Sequence, residues 1–425
     1  MNKKFNEISR QLRSVVLPLL DVDLVDRLVN DRPALIREVA RVVQSVSVDH
    51  NRYLPAEEVQ VLAGSIADEI MGVGPLRELM EDPTISDILV NGPDHIFIER
   101  GGKLVLSDKR FLDNHQLTEI AKRLVSRVGR RIDESQPLVD ARMVDGSRLN
   151  VVINPIALDG TAISIRKFSN VSRTLRDLVN WGAMDEKMAN FLAIAVRCQC
   201  NVVISGGTGS GKTTLLNALS QHINSDERII TLEDAAELKL QQQHVVRLET
   251  RMAGVENSGQ ITMRDLMINT LRMRPDRVIV GECRGGETFE MLQAMNTGHD
   301  GSMTTLHANT PRDAVARLEN MVMMANLNLP VESIRRNISS AVNLIIQASR
   351  LHDGSRKITH ITEVMGLEGD TIVLQDIFNY QIETIEKGKI FGGFTTSGLS
   401  SRSVVYEKAK EHNCESYLRQ IFNPQ

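Results

Sequence analysis

Eight consecutive residues, Gly206-Gly207-Thr208-Gly209-Ser210-Gly211-Lys212-Thr213, have the spacing G-x-x-x-x-G-K-T. Glycines at these places let successive backbone N–H groups turn inward onto an anion, and a following helix adds the partial positive charge of its N-terminus. Lys212 would reach the β- and γ-phosphates, and the Thr213 hydroxyl suits Mg²⁺. The flanks agree. Asn201-Val202-Val203-Ile204-Ser205 reads as a short apolar strand, and Thr214-Leu215-Leu216-Asn217-Ala218-Leu219 starts a helix. Residues Gly206 to Thr214 are therefore expected to hold the phosphates of a nucleoside triphosphate.

Three further segments carry groups that such a site needs. Arg277-Val278-Ile279-Val280-Gly281 reads as a strand ending in Glu282, and a carboxylate at a strand end beside the loop positions Mg²⁺ or water. Arg228-Ile229-Ile230-Thr231-Leu232 leads into Glu233-Asp234-Ala235-Ala236-Glu237, whose carboxylates could polarise water or start a helix as acidic residues do. His299 and His307 flank the hydroxyl-rich Ser302-Met303-Thr304-Thr305 and could sense the γ-phosphate by hydrogen bonding. No N-K-x-D motif is present, which weighs against a GTPase.

The elements that must position these residues follow from the patterning. Residues 1–75 read as a helical bundle, ended by Gly72-Val73-Gly74-Pro75. Residues 76–168 read as an α+β domain. It contains a hairpin at Gly101-Gly102, apolar residues at helical spacing (Leu117, Ile120, Leu124, Val125) and turns at Asp145-Gly146 and Asp159-Gly160. Residues 169–183 lack strong periodicity and read as a linker. From 184 strands alternate with helices, the mark of a parallel sheet covered by helices, with a weaker β-rich extension running to 425.

With 425 residues, 42% hydrophobic and 24% charged, the chain describes a soluble globular protein of two or three domains. The formal net charge of −4 argues against a generally basic nucleic-acid binder. No apolar run is long enough to span a bilayer, and Pro18 and Asp21 break the only candidate for a secretory signal. Cys198, Cys200, Cys283 and Cys414 form no pair of C-x-x-C motifs, so reduced thiols are expected.

The four segments in this order resemble the secretion-superfamily ATPases of type II and type IV systems, with their Walker A loop, Asp box, Walker B ending in Gly-Glu, and His box. The resemblance covers roughly residues 70–380. "RPDRVIVGECRGGE", "TGHDGSMTTLHANTP" and "ALDGTAISIRKFS" are similar to the CpaF subgroup, the motors of Flp/Tad pili. The four-cysteine metal module of type II members is missing, and Cys283 stands where an aliphatic residue is expected.

The resemblance implies an α/β, RecA-like P-loop NTPase domain preceded by an α+β domain and an N-terminal helical bundle. It implies a homo-hexameric ring that hydrolyses ATP with Mg²⁺ on the cytoplasmic side of the inner membrane, with membrane platform proteins as partners and no nucleic acid. By the same resemblance Thr213 and Glu282 serve Mg²⁺, and Glu233 or Glu282 acts as base. His299 and His307 report on the γ-phosphate, and arginines of the α+β domain (Arg142, Arg148, Arg166) neutralise phosphate charge. Rival classes on the same motifs are a nucleic-acid translocase, which the basic run Lys122, Arg123, Arg127, Arg130, Arg131 would favour, a metabolic kinase, and a scaffold that binds ATP without hydrolysing it.

Overall fold

The computed structural model describes residues 3–21, 24, 27–28, 31–49, 53–167, 173–251 and 259–422. The chain divides into two units, residues 1–170 and 171–425.

In the first unit the helices Lys3–Leu19, Arg32–Asp49 and Ala56–Ile70 bury Leu12, Val16, Leu35, Val39, Val43, Leu62 and Ile66 against one another. Six antiparallel strands follow in the order β3-β2-β1-β6-β5-β4: β1 Ile85–Asn91, β2 His95–Arg100, β3 Lys103–Leu106, β4 Leu138–Arg142, β5 Arg148–Val152 and β6 Ala162–Arg166. The helix Asn114–Ser126 lays Leu117, Ile120, Leu124 and Val125 on this sheet, and β2 and β3 close through Gly101 and Gly102 as the sequence predicts.

Bundle and sheet form one unit here, where the patterning suggested a boundary near residue 75. Glu69 supplies the physical reason. It is almost fully buried and pairs with Arg13 of the bundle. It also accepts 2.8 Å from Gln116 Nε2, while its carbonyl accepts 2.9 Å from Arg123 Nη1, both on the helix of the α+β part. A buried carboxylate needs such partners, and here they come from both parts.

The second unit is built on nine strands in the order β15-β14-β13-β12-β7-β11-β10-β8-β9. The strands are β7 Val202–Gly206, β8 Ile229–Glu233, β9 Val245–Glu249, β10 Arg277–Val280, β11 Met303–Leu306, β12 Leu344–Arg350, β13 Arg356–Glu368, β14 Thr371–Glu386 and β15 Lys389–Thr396. From β12 to β9 the neighbours are parallel, and β13 to β15 continue as an antiparallel meander.

Helices cover both faces of the parallel part. Ile204 and Ile346 meet Phe191, Leu192, Leu215 and Leu219 on one face, while Val203 and Ile345 meet Met291, Leu292, Leu318 and Ile338 on the other. Adjacent residues of one strand thus belong to different cores, which is why these strands read as continuous apolar runs.

The expected linker is partly core. Residues 169–172 lie outside the described residues, but Leu175–Asn180 is a helix capped by Thr174 and Asp177, and Leu175, Leu178 and Ala183 are buried in this unit. Six residues are too few to show helical periodicity, so its signal lay in the capping pair. All four cysteines are free and buried. No helix among the described residues is long and apolar enough to cross a membrane.

Candidate functional site

The carboxyl ends of β7, β8, β10 and β11 lie side by side, the edge where open parallel sheets place ligands. The phosphate loop leaves β7 there. Gly209 and Gly211 have φ values of 70° and 98°, a region costly for other residues, and Gly211 caps the helix Lys212–Ser220. A Cβ on Gly206 would lie 2.2 Å from the Ala348 carbonyl oxygen, so this glycine is needed for close packing on β12. The Lys212 amine is nearly buried and donates to the carbonyls of Gly206 at 2.9 Å and Gly207 at 3.0 Å.

Two groups on neighbouring strand ends line up from Lys212, His307 beside its amine and Glu282 beside His307. His307, the residue after β11, brings Nε2 to 3.5 Å from Lys212 Nζ and 2.9 Å from Glu282 Oε1. Burial, then the Lys212 charge, lowers the His307 pKa from its ordinary value, so the ring is neutral at neutral pH. Its backbone is held from the next residue, because the Ala308 carbonyl accepts from Ser205 Oγ at 3.3 Å and Gln347 Nε2 at 3.2 Å. Glu282 follows β10 by two residues, and its Oε2 accepts from Arg284 Nη2 at 2.6 Å. Arg284 also lies 3.5 Å from Asp234, and Glu287 holds the turn by accepting from the Arg284 and Gly285 N–H groups at 2.7 and 2.8 Å.

Glu233 ends β8 and is 4% exposed. Its Oε2 accepts from the Glu237 and Leu238 N–H groups at 2.7 and 2.9 Å, while Oε1 is buried with no hydrogen-bond partner among the described residues. Burial pushes its pKa up to about 7, against the lowering effect of those two N–H groups. A Cβ on residue 281 would stand 2.9 Å from Glu233 Cγ. The Gly-Glu ending of β10 therefore has two jobs: Gly281 makes room for Glu233, and Glu282 reaches His307. Cys283 is an inert member of the same segment, buried, with its thiol pushed up to about 12 by burial.

His299 is not brought to this edge. It precedes β11, whereas His307 follows it, and a strand rising about 3.3 Å per residue keeps its two flanks apart. His299 instead belongs to the amino edge, where its carbonyl accepts from Ser302 Oγ at 2.7 Å. His299 and His307 therefore lie at opposite ends of β11, and only His307 stands beside Lys212.

Arg142, Arg148 and Arg166 lie in the first unit and form one cross-strand row, Arg142 opposite Arg148 and Arg148 opposite Arg166. Directly opposed residues share a face, and like charges so placed repel. Asp87, opposite Arg166 on β1, comes within 4.0 Å of the Arg166 Nε and offsets part of that charge.

Patterning missed Arg284 as a site residue although it lies inside the quoted "RGGE". It also missed Arg350 and Arg356, whose only signal was their place on either side of an Asp-Gly turn. Thr213 and Thr214 occupy the first turn of the loop helix.

Residues 69–379 match the family described as type II/IV secretion system protein. A putative conjugal transfer protein of Mycobacterium tuberculosis is 36% identical over 320 residues, 73% of this chain and 90% of that one. The type IV secretion system protein VirB11 of Brucella abortus is 33% identical over 318 residues, 68% of this chain and 87% of its own. The solved structure of the ATPase DotB of Yersinia pseudotuberculosis matches 71% of this chain and 80% of its own with a TM-score of 0.51 at 16% identity, a likeness of fold alone. A phosphate loop flanked by the strand-end carboxylates Glu233 and Glu282 and by His307, within a match that spans most of the chain, places this protein in the type II/IV secretion system ATPase family.

Proposed function

We propose that the chain hydrolyses ATP as one subunit of a homo-hexameric motor at the cytoplasmic face of a secretion or pilus machine, on a RecA-like second unit. The observation that carries the reading is the run Lys212–His307–Glu282 at one sheet edge, with the buried Glu233 alongside.

Within this reading the loop amides and Lys212 bind the phosphates. Mg²⁺ bound with nucleotide is ordinarily held by one or two side-chain oxygens plus phosphate oxygens. The residues fit that: no cluster of three or more metal-ligating side chains occurs among the described residues, while Thr213 and Glu282 offer oxygens at the loop. When bound, the metal would neutralise charge on the phosphates. Glu233, with a pKa of about 7 and one oxygen without a hydrogen-bond partner among the described residues, is suited to take a proton from an attacking water. Neutral His307, between Lys212 and Glu282, would register what occupies the loop. The row Arg142, Arg148, Arg166 is assigned to neutralising charge that develops on the transferred phosphoryl group.

Among family members we assign the chain to the CpaF kind, serving Flp/Tad-type pilus assembly through inner-membrane platform proteins. The motifs quoted above support that assignment. A type IV secretion role is the second reading, favoured by the names of the relatives at 33–36% identity.

Phosphate release by the purified full chain tests the site. Lys212→Ala should abolish hydrolysis, and Glu282→Gln should lower turnover about 10²–10³-fold while retaining bound ATP. Arg148→Ala should depress turnover more than nucleotide affinity. Normal turnover in the first two variants would remove the assignment, and stimulation of hydrolysis by DNA would favour a translocase.

A further inference from the structure

The phosphate loop is also gripped from the C-terminal part of the second unit. β12 and β13 are joined by a tight turn at residues 351–355, and Arg350 and Arg356 face each other across it in register. Arg356 Nε donates to the Gly209 carbonyl at 2.8 Å, a bond between residues 147 apart in sequence. A Cβ on Gly209 would lie 3.6 Å from Arg350 Nη1, and one on Gly211 would lie 3.7 Å from Arg356 Cδ. Arg356 thus touches the loop directly at Gly209, and each arginine stands next to the space that a side chain on one of the two shaping glycines would fill, Arg350 at Gly209 and Arg356 at Gly211.

The turn that carries them is braced. Asp353 Oδ1 accepts from Ser355 N–H at 2.9 Å and Ser355 Oγ at 2.6 Å, and its Oδ2 accepts from Ile390 N–H at 3.0 Å on β15. The serine hydroxyl, then the backbone N–H of Ile390, hold the Asp353 carboxyl down at about 2, so the brace is ionised at neutral pH.

A hydrogen bond to one carbonyl needs only a single neutral donor. Two guanidinium groups facing each other in a cross-strand pair cost repulsion, which an anion at the loop would offset. We propose that Arg356 and Arg350 are positioning residues of the nucleotide site. Arg356 fixes the Gly209 peptide so that the loop N–H groups face the phosphates, and the pair adds positive charge beside the loop. The inference rests on the nucleotide reading given above and deepens it.

Steady-state ATP hydrolysis by the full chain, with ATP binding measured alongside, decides the matter. Arg356→Ala should raise the KM for ATP about tenfold and leave kcat within about twofold, the mark of lost binding that ground and transition states share. Arg350→Ala should raise KM about threefold. Arg356→Lys, which keeps a charge and a donor, should recover most of the lost affinity. An unchanged KM in both alanine variants overturns the proposal. So does a fall in kcat at constant KM, which reports a smaller folded fraction. If the wild-type chain binds no ATP, the nucleotide reading falls and this proposal with it. If the wild type turns over ATP, Lys212→Ala does not, and the arginine variants match the wild-type KM, only this proposal falls.

Discussion

The two edges of the parallel sheet use polar residues in opposite ways. At the amino edge Arg277 is fully buried, yet its guanidinium pairs with Glu227 through both carboxylate oxygens and donates to the carbonyls of Val196 and Gly301. Asn201 is saturated as well. Its N–H donates to Asn343 Oδ1, its side-chain amide donates to the Met295 and Ala341 carbonyls, and its Oδ1 accepts from Ser302 N–H. At the carboxyl edge Glu233 Oε1 and Ser210 Oγ are buried with no hydrogen-bond partner among the described residues, and the Lys212 amine turns back on its own loop. Buried groups that are fully bonded hold register, whereas buried groups left short of partners mark a place prepared for something else. His299, whose Nδ1 is buried at the amino edge with no hydrogen-bond partner among the described residues, is one exception to this division.

The contrast is sharpest in stability, and the largest effect belongs to Arg277. Arg277→Met should leave Glu227 buried without its counter-ion and cost about 3–5 kcal/mol in urea unfolding. A loss no larger than that of an exposed arginine would erase the distinction between the edges. Asn201→Ala strands the Ser302 N–H and two carbonyls, and an expected loss of about 1–3 kcal/mol is read from the same measurement. Both changes should act on hydrolysis only through the folded fraction.

The smallest expected effect comes from the carboxyl edge and depends on pH. Glu233 is an acid whose folded pKa of about 7 stands above the ordinary 4.5. Its protonated form therefore favours the fold at low pH. That contribution is complete below about 4.5 and is lost as pH climbs through about 7. Glu233→Gln should gain stability on wild type across this window, by on the order of 1 kcal/mol once relaxation of the site is allowed for. Parallel unfolding midpoints at pH 4.5 and pH 8 for the two proteins would contradict the burial argument.

Much of the site was legible because its signals are local. A phosphate loop needs glycines, Lys212 and Thr213 at set spacings between a strand and a helix, and one stretch of chain supplies them all. Glu233, Glu282 and His307 were legible as residues that follow strands, since a parallel sheet delivers strand ends to one edge. Periodicity could not tell which end of β11 that edge would be, and so it treated His299 and His307 alike.

By itself, then, the sequence determined the loop, the alternation of strands and helices, and the residue types that follow each strand. Only the tertiary structure decided the remainder: Arg356 on Gly209, Gly281 making room for Glu233, Glu69 joining the bundle to the helix of the α+β part, and the arginine row in register. Outside the arginine row, whose members are closer in sequence, these contacts join residues tens to more than a hundred positions apart. Such pairings are set by strand order and by what each buried polar atom must find nearby, and neither is written in the spacing along the chain.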